Sequence, residues 1–91
     1  MEIIRYLGDI LAEETGISPP AARGLIKLSI KDELGPFKAF NTINYADYIT
    51  ILKNSLKKRL IKLEISNFES IIAFLLEELE LNQSIITIAG V

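Results

Sequence analysis

The sequence predicts an all-α fold, with four helices in an orthogonal or bundle-like arrangement followed by a short apolar C-terminal strand. Apolar residues recur at helical spacing in four segments, and each segment is bounded by residues typical of helix ends. The chain has 91 residues, of which 49 % are hydrophobic, enough for one core. We therefore expect a helical domain over 1–83 and an apolar strand or tail over 84–91.

The first predicted helix covers residues 2–15 and ends at a glycine. Its apolar residues recur every three or four positions, at Ile3, Leu7, Ile10 and Leu11. Gly16 accepts the positive φ that commonly ends a helix, because it has no Cβ.

The second predicted helix begins at Ser18, which precedes two prolines and suits an N-cap. It ends at Gly35, which is followed by a proline that cannot continue the helix. Gly24 lies inside it at a cost of about 1 kcal/mol relative to Ala. Close packing against a neighbouring helix would explain that glycine.

A connector over 36–43 joins the second and third helices and contains two aromatic residues. We expect Phe37 and Phe40 to fold back onto the core, because large apolar side chains gain from burial.

The third predicted helix has Asn44 as its cap and runs to about Lys62, with an acidic residue in its first turn. Its long apolar stripe contains Tyr45, Tyr48, Ile49, Leu52, Leu56, Leu60 and Leu63. We expect the two tyrosines to be core aromatics whose hydroxyls reach solvent.

The fourth predicted helix starts at a capping box, in which Ser66 caps and Glu69 reaches back. Its buried side should contain Phe68, Ile71, Ile72, Leu75, Leu76 and Leu79.

The last eight residues are β-branched and apolar, which predicts a strand. A lone strand cannot satisfy its own backbone. It therefore needs a second copy, another protein or the connector, unless it is the first strand of something longer. The candidate interface residues are Ile85, Ile86, Ile88 and Val91.

The composition limits the catalytic and metal sites that the chain can form, because it contains no His and no Cys. A Ser-His-Asp triad, a Cys nucleophile, an imidazole acid or base and a structural zinc site are therefore excluded. We predict that the protein is not an enzyme, and we assign no catalytic residue, cofactor or metal. The longest apolar run, Ile71 to Leu76, is far shorter than the ~20 residues that span a bilayer. We therefore expect a cytoplasmic protein without a membrane partner.

Charge is segregated along the chain, although the net charge is only −2. Residues 1–22 hold one base and four acids, residues 23–62 nine bases and three acids, and residues 63–91 five acids and no base. The candidate basic surface is formed by Lys53, Lys57, Lys58, Arg59 and Lys62. These side chains either pair with the acidic fourth helix, which we favour, or bind an anionic partner.

Residues 11–27 resemble the helix-turn-helix of bacterial and archaeal DNA-binding regulators. Ala12 is the small residue that lets the helices approach, Gly16 makes the turn, and Ile17, Ala22 and Leu25 stand at the apolar positions. The resemblance covers about 17 of the 91 residues.

If the resemblance holds, DNA would meet a stripe at the start of the second helix. The candidate contacts are Ser18, Arg23, Lys27 and Lys31, of which the last three share one side of the helix. The sequence departs from the pattern at its two prolines, which offer no donor, and in its low pI of about 5.1.

The leading functional hypothesis is a non-enzymatic helical module for protein–protein interaction or regulation, which self-associates or docks to a partner. Sixteen Ile and thirteen Leu in so short a chain favour this reading. A helix-turn-helix DNA-binding regulator is the alternative, and the N-terminal helical part of a larger protein is a second alternative.

Overall fold

The computed structural model describes residues 2–84 and 86, and this part of the chain is all-α. We label its helices α1 (Glu2–Thr15), α2 (Pro19–Leu34), α3 (45–62) and α4 (Phe68–Leu81), with a 3-10 turn at Phe40–Thr42 before α3. The predicted fold class is confirmed at this level.

The helix α3 is continuous but changes its winding in the middle. It consists of an α segment at Tyr45–Thr50, a π segment at Ile51–Leu56 and a second α segment at Lys57–Lys62. A π segment widens the helix because its hydrogen bonds span five residues instead of four, and such segments often lie at functional sites.

The helices form a closed ring around one core. Extensive contacts join α1 to α2, α2 to α3, α3 to α4 and α4 back to α1. The core draws from all four helices, and its fully buried members include Leu7, Leu11, Ile26, Ile30, Leu52, Leu56, Leu75 and Leu79. The apolar stripes seen in the sequence are therefore the faces that meet inside the ring.

Two predicted N-caps are present. Ser18 Oγ accepts a hydrogen bond from the Ala21 amide at 3.4 Å. At α3 the cap is reciprocal: Asn44 Oδ1 accepts from the Asp47 amide at 2.8 Å, and Asp47 Oδ2 accepts from the Asn44 amide at 3.2 Å. Both caps satisfy amides that a helix leaves unpaired at its start.

The predicted cap of α4 is wrong. The helix starts at Phe68, its N-cap is Asn67, and no side chain makes the cap hydrogen bond. Ser66 precedes the cap position, so it cannot reach the amides of the first turn. The sequence offers two adjacent cap residues, and the preceding turn selects the second.

The helices α3 and α4 are joined by a turn that the sequence did not signal. Glu64 has a φ of 59°, in the left-handed region. The Glu64 amide donates to Ile61 O at 3.0 Å and the Ile65 amide donates to Leu60 O at 3.1 Å. This pair of hydrogen bonds is a Schellman motif, which usually places Gly where Glu64 stands.

The connector folds back only in part. Phe40 packs against the core, as predicted, but Phe37 is 97 % exposed. Gly35, with a φ of 90°, ends α2 five residues before Phe40, whose side chain packs against the core. Phe37 therefore lies on the outside of the bend.

The close approach of α1 and α2 occurs at Gly8, and the prediction for Gly24 is wrong. A Cβ on Gly24 would meet nothing within 4 Å. A Cβ on Gly8 would lie 2.4 Å from Arg23 Cγ and 3.0 Å from Arg23 Cα. Gly8 is therefore the residue whose small size lets α2 lie against α1.

The predicted C-terminal strand is not supported by the part of the tail that the structure describes. Ser84 and Ile86 are helical. Ile86 is only 6 % exposed and belongs to the core. Ile85 and residues 87–91 lie outside the described residues.

Candidate functional site

The helices α1 and α2 bring three cationic side chains around one small cavity. This basic cavity has a volume of about 200 Å³ and is lined by Ile4, Arg5, Arg23, Lys27 and Phe40. Arg5 comes from the first turns of α1, Arg23 and Lys27 lie one turn apart on α2, and Phe40 belongs to the 3-10 turn. Residues far apart in the sequence thus form one positively charged recess.

Arg23 is held in place at the edge of this cavity. Its Nε donates to Asp9 Oδ1 at 3.2 Å, and its side chain remains 36 % exposed. The aliphatic part of Arg23 lies against Gly8. A guanidinium group has five N–H donors, and Asp9 engages only the one on Nε, so the terminal nitrogens of Arg23 have no partner among residues 2–84 and 86.

The predicted DNA-contact residues therefore have different surroundings. Lys27 and Lys31 are exposed on α2, whereas Arg23 is half-buried beside α1. Ser18 is exposed, but its hydroxyl caps α2. The DNA hypothesis stays a prediction, now with two exposed lysines and a half-buried arginine rather than three exposed cations.

A second recess, the polar cavity, lies between the end of α2 and the π segment of α3. Its volume is about 400 Å³, and it is lined by Asp32, Glu33, Asn54, Ser55, Lys58, Arg59 and Lys62. Three of the five residues predicted as a basic surface therefore face two carboxylates.

Those carboxylates tie α2 to α3. Arg59 binds Asp32 through two hydrogen bonds, from Nε at 2.6 Å and from Nη2 at 3.0 Å. Glu33 Oε1 accepts from Ser55 Oγ at 2.7 Å and from Asn54 Nδ2 at 2.9 Å. Because Asp32 and Glu33 both accept hydrogen bonds from side chains of α3, we interpret the network as a clamp between helices rather than a binding site.

Four groups of the described residues have shifted pKa values, each with a local cause. The hydrogen bond from Arg59 lowers the pKa of Asp32, and the same bond raises the pKa of Arg59. Tyr6 donates to Glu78, and this hydrogen bond raises the pKa of the Tyr6 hydroxyl. Burial raises the pKa of Tyr48 to about 12.

The Tyr48 hydroxyl contradicts the predicted contact with solvent. Tyr48 is 1 % exposed, and its hydroxyl has no hydrogen-bond partner among the described residues. Tyr45, by contrast, is half-buried. The difference follows from position, since Tyr48 lies on the inner face of α3.

The seam between α3 and α4 is a groove with charged walls. Its apolar floor comes from Tyr45, Ile49, Ile72 and Leu76, and Ala73 lies at its edge. Lys53 and Lys57 form the wall on α3, whereas Glu69, Glu77 and Glu80 form the wall on α4. We call this surface the α3–α4 groove.

The walls of the groove do not pair with each other, so our favoured interpretation of the charge segregation is wrong. Within the described part of the chain, the ion pairs are Arg23–Asp9 and Arg59–Asp32. Lys57 instead places its Nζ 5.9 Å from the centre of the Phe68 ring. The helices are neighbours as expected, but the groove keeps their charged rims apart.

The predicted interface residues of the tail fall mostly outside the described part of the chain. Ile85, Ile88 and Val91 are the ones that lie outside it. Ile86 is buried in the core, where it stabilises this chain, and its side chain would have to leave the core to contact a partner. Its role in an interface stays a prediction.

Sequence reasoning missed several residues of these surfaces. Arg5 could have been noticed in the sequence, because a cation in the first turns of a helix interacts unfavourably with the helix dipole. Gly8 could also have been noticed, because glycine is unfavourable inside a helix. The contributions of Phe40 and Glu33 have no local signal, because they depend on how α2 and the connector pack.

Comparisons of the chain with protein-family models, with characterised proteins and with solved structures find no match. Among the described residues, no helix is long and apolar enough to cross a membrane. The same part of the chain has no group of three or more acidic side chains placed to hold a metal ion.

Proposed function

We propose that this chain is a non-enzymatic interaction module that self-associates through the α3–α4 groove. The observation that carries the proposal is the groove's two unpaired walls of opposite charge, set on either side of an apolar floor. A surface that is basic on one side and acidic on the other is complementary to a copy of itself.

The geometry selects one arrangement of two copies. A two-fold axis along the groove places α3 of one copy over α4 of the other, without sliding either along the groove. Lys53 lines the same part of the groove as Glu77 and Glu80, and Lys57 lines the same part as Glu69. Each lysine then faces a glutamate of the second copy.

The floor supplies the apolar contact that the charges orient. Tyr45, Ile49 and Leu76 are half-buried in one chain and would become buried between two. Burial contributes about 25 cal/mol per Å² of apolar surface. Since exposed ion pairs add only about 0–1 kcal/mol each, the floor gives affinity and the walls give orientation.

The test is the mass of the protein in solution, measured by sedimentation over a range of concentrations at low and high salt. We expect a species of twice the 10.2 kDa chain mass at low salt and partial dissociation at high salt. A monomer at all concentrations would contradict self-association, and a dimer insensitive to salt would contradict the charged walls.

DNA binding is a second candidate, supported by the exposure of Lys27 and Lys31 on α2. Titration of duplex DNA at two salt concentrations tests it, because affinity for phosphates falls steeply with salt. If DNA binds, Lys27→Gln and Lys31→Gln should each weaken it and reduce the salt slope by about one. An unchanged slope would reject this contact surface.

A further inference from the structure

We infer that the basic cavity between α1 and α2 binds the phosphoryl group of a small phosphate monoester. This inference concerns the surface formed by Arg5, Arg23 and Lys27, and it does not rest on self-association through the α3–α4 groove. The charge of the cavity, the geometry of its donors and its size all favour such a ligand.

The net positive charge of the basic cavity favours a ligand that is a dianion. Arg5, Arg23 and Lys27 line the cavity, and Asp9 is the carboxylate that pairs with one of them. Two positive charges are left over. A phosphate monoester carries about −1.5 to −2 at pH 7 and balances them, whereas a carboxylate or a phosphate diester carries only −1.

The donors are oriented before any ligand arrives. Asp9 holds Arg23 by its Nε, and Gly8 lets the stem of Arg23 lie against α1. The terminal nitrogens of Arg23 are thereby fixed without being used, in contrast to Arg59, whose Nη2 is engaged by Asp32. A planar guanidinium fixed in this way suits the oxygens of a phosphoryl group.

Arg5 makes the cavity more favourable for an anion than a surface lysine cluster would be. It lies in the first turns of α1, where the helix dipole already creates positive potential. Arg5 and Lys27 have no ion-pair partner among the described residues. An anion bound between them relieves this repulsion.

Size and lining restrict the rest of the ligand. The cavity of about 200 Å³ is smaller than the roughly 300–1,000 Å³ typical of sites for drug-sized molecules. Ile4 and Phe40 give it an apolar wall. The ligand is therefore a phosphoryl group with a short apolar or aromatic substituent, and phenyl phosphate is a suitable probe.

The experiment is a titration with phenyl phosphate followed by amide chemical shifts, with dimethyl phosphate as the monoanionic comparison. We expect the largest shifts around Arg5, Lys27 and Phe40, and weaker binding of the diester. Arg5→Gln and Lys27→Gln should each lower the affinity by about tenfold, the size of one lost charge-assisted hydrogen bond.

The matched control is Lys62→Gln, which removes one positive charge at the polar cavity and should change the affinity by less than about twofold. No shift with phenyl phosphate, or an equal loss in the control, would overturn the inference. Duplex DNA that binds this cavity more tightly than the monoester, with a steep salt dependence, would assign it to the nucleic-acid backbone instead.

Discussion

The molecule consists of two helical hairpins, and the two helices of each hairpin pack against each other in a different way. In the α1–α2 hairpin the helices touch at Gly8, and Arg23 closes the seam by pairing with Asp9. In the α3–α4 hairpin a groove separates rims of opposite charge. The first seam is completed within the chain, and the second leaves charge and apolar surface for a partner.

The largest expected effect comes from adding one methyl group to the closed seam. Gly8→Ala puts Cβ 2.4 Å from Arg23 Cγ and 3.0 Å from backbone, so it should destabilise by about 1–3 kcal/mol. Gly24→Ala, on the open side of α2, should instead stabilise by about 1 kcal/mol. Urea denaturation of the two variants measures the difference, and equal effects would show that the helices do not touch at Gly8.

The next effect concerns a buried hydroxyl in the second hairpin. The buried Ser29 of α2 donates to Leu25 O at 2.9 Å, but the Tyr48 hydroxyl of α3 has no hydrogen-bond partner in the described part of the chain. Tyr48→Phe removes that unsatisfied group and should stabilise by about 1–3 kcal/mol near neutral pH. Denaturation that shows a loss of similar size would mean that the hydroxyl is paired.

The same variant should also change the alkaline limit of stability. Burial raises the pKa of Tyr48 from 10.0 to about 12. Below pH 10 the phenol is neutral in both the folded and the unfolded state, and its ionisation does not affect the free energy of unfolding. As the pH rises from 10 towards 12, the phenol ionises first in the unfolded state, and the free energy of unfolding decreases. The loss is about 3 kcal/mol. Denaturation at pH 9 and pH 12 should show a larger decrease for the wild type than for Tyr48→Phe.

The smallest effect compares the turns of the two hairpins. Gly16 has a φ of 79° and Glu64 a φ of 59°, so both turns use the left-handed region. Gly16→Ala should destabilise by about 1–2 kcal/mol, and Glu64→Gly should stabilise by up to about 1 kcal/mol. Thermal unfolding measures both, and stabilisation by Gly16→Ala would contradict the assigned backbone.

Structural features that depend only on residues close together in the chain could be predicted from the sequence. The positions of Ser18 and Asn44 identify two helix starts, because a cap acts on amides two or three residues away. Apolar spacing likewise identifies the four helices, since each stripe must be buried somewhere.

Features that depend on the packing of distant segments could not be predicted. Gly8 and Gly24 look alike in the sequence, and only the crossing of α1 and α2 distinguishes them. Lys53 and Glu77 were expected to pair because their helices are adjacent, but no ion pair joins α3 to α4 among the described residues. Arg5 and Phe40 join Lys27 only after the connector folds back.

In the proposed dimer, the α3–α4 groove recognises a second copy through its oppositely charged walls. Exchanging the sign of one wall tests this. Lys53→Glu with Lys57→Glu makes both walls acidic, and Glu77→Lys with Glu80→Lys makes the groove mainly basic. Each double variant should be a monomer by itself, because like charges then face each other.

The control reverses the same number of charges elsewhere, by Lys58→Glu with Lys62→Glu at the polar cavity, and this variant should still self-associate. The most direct measurement is the sedimentation mass of the two groove variants after mixing. We expect the mixture to form a dimer of one copy of each variant, which neither variant forms alone. A mixture that remains monomeric while the wild type dimerises would contradict it.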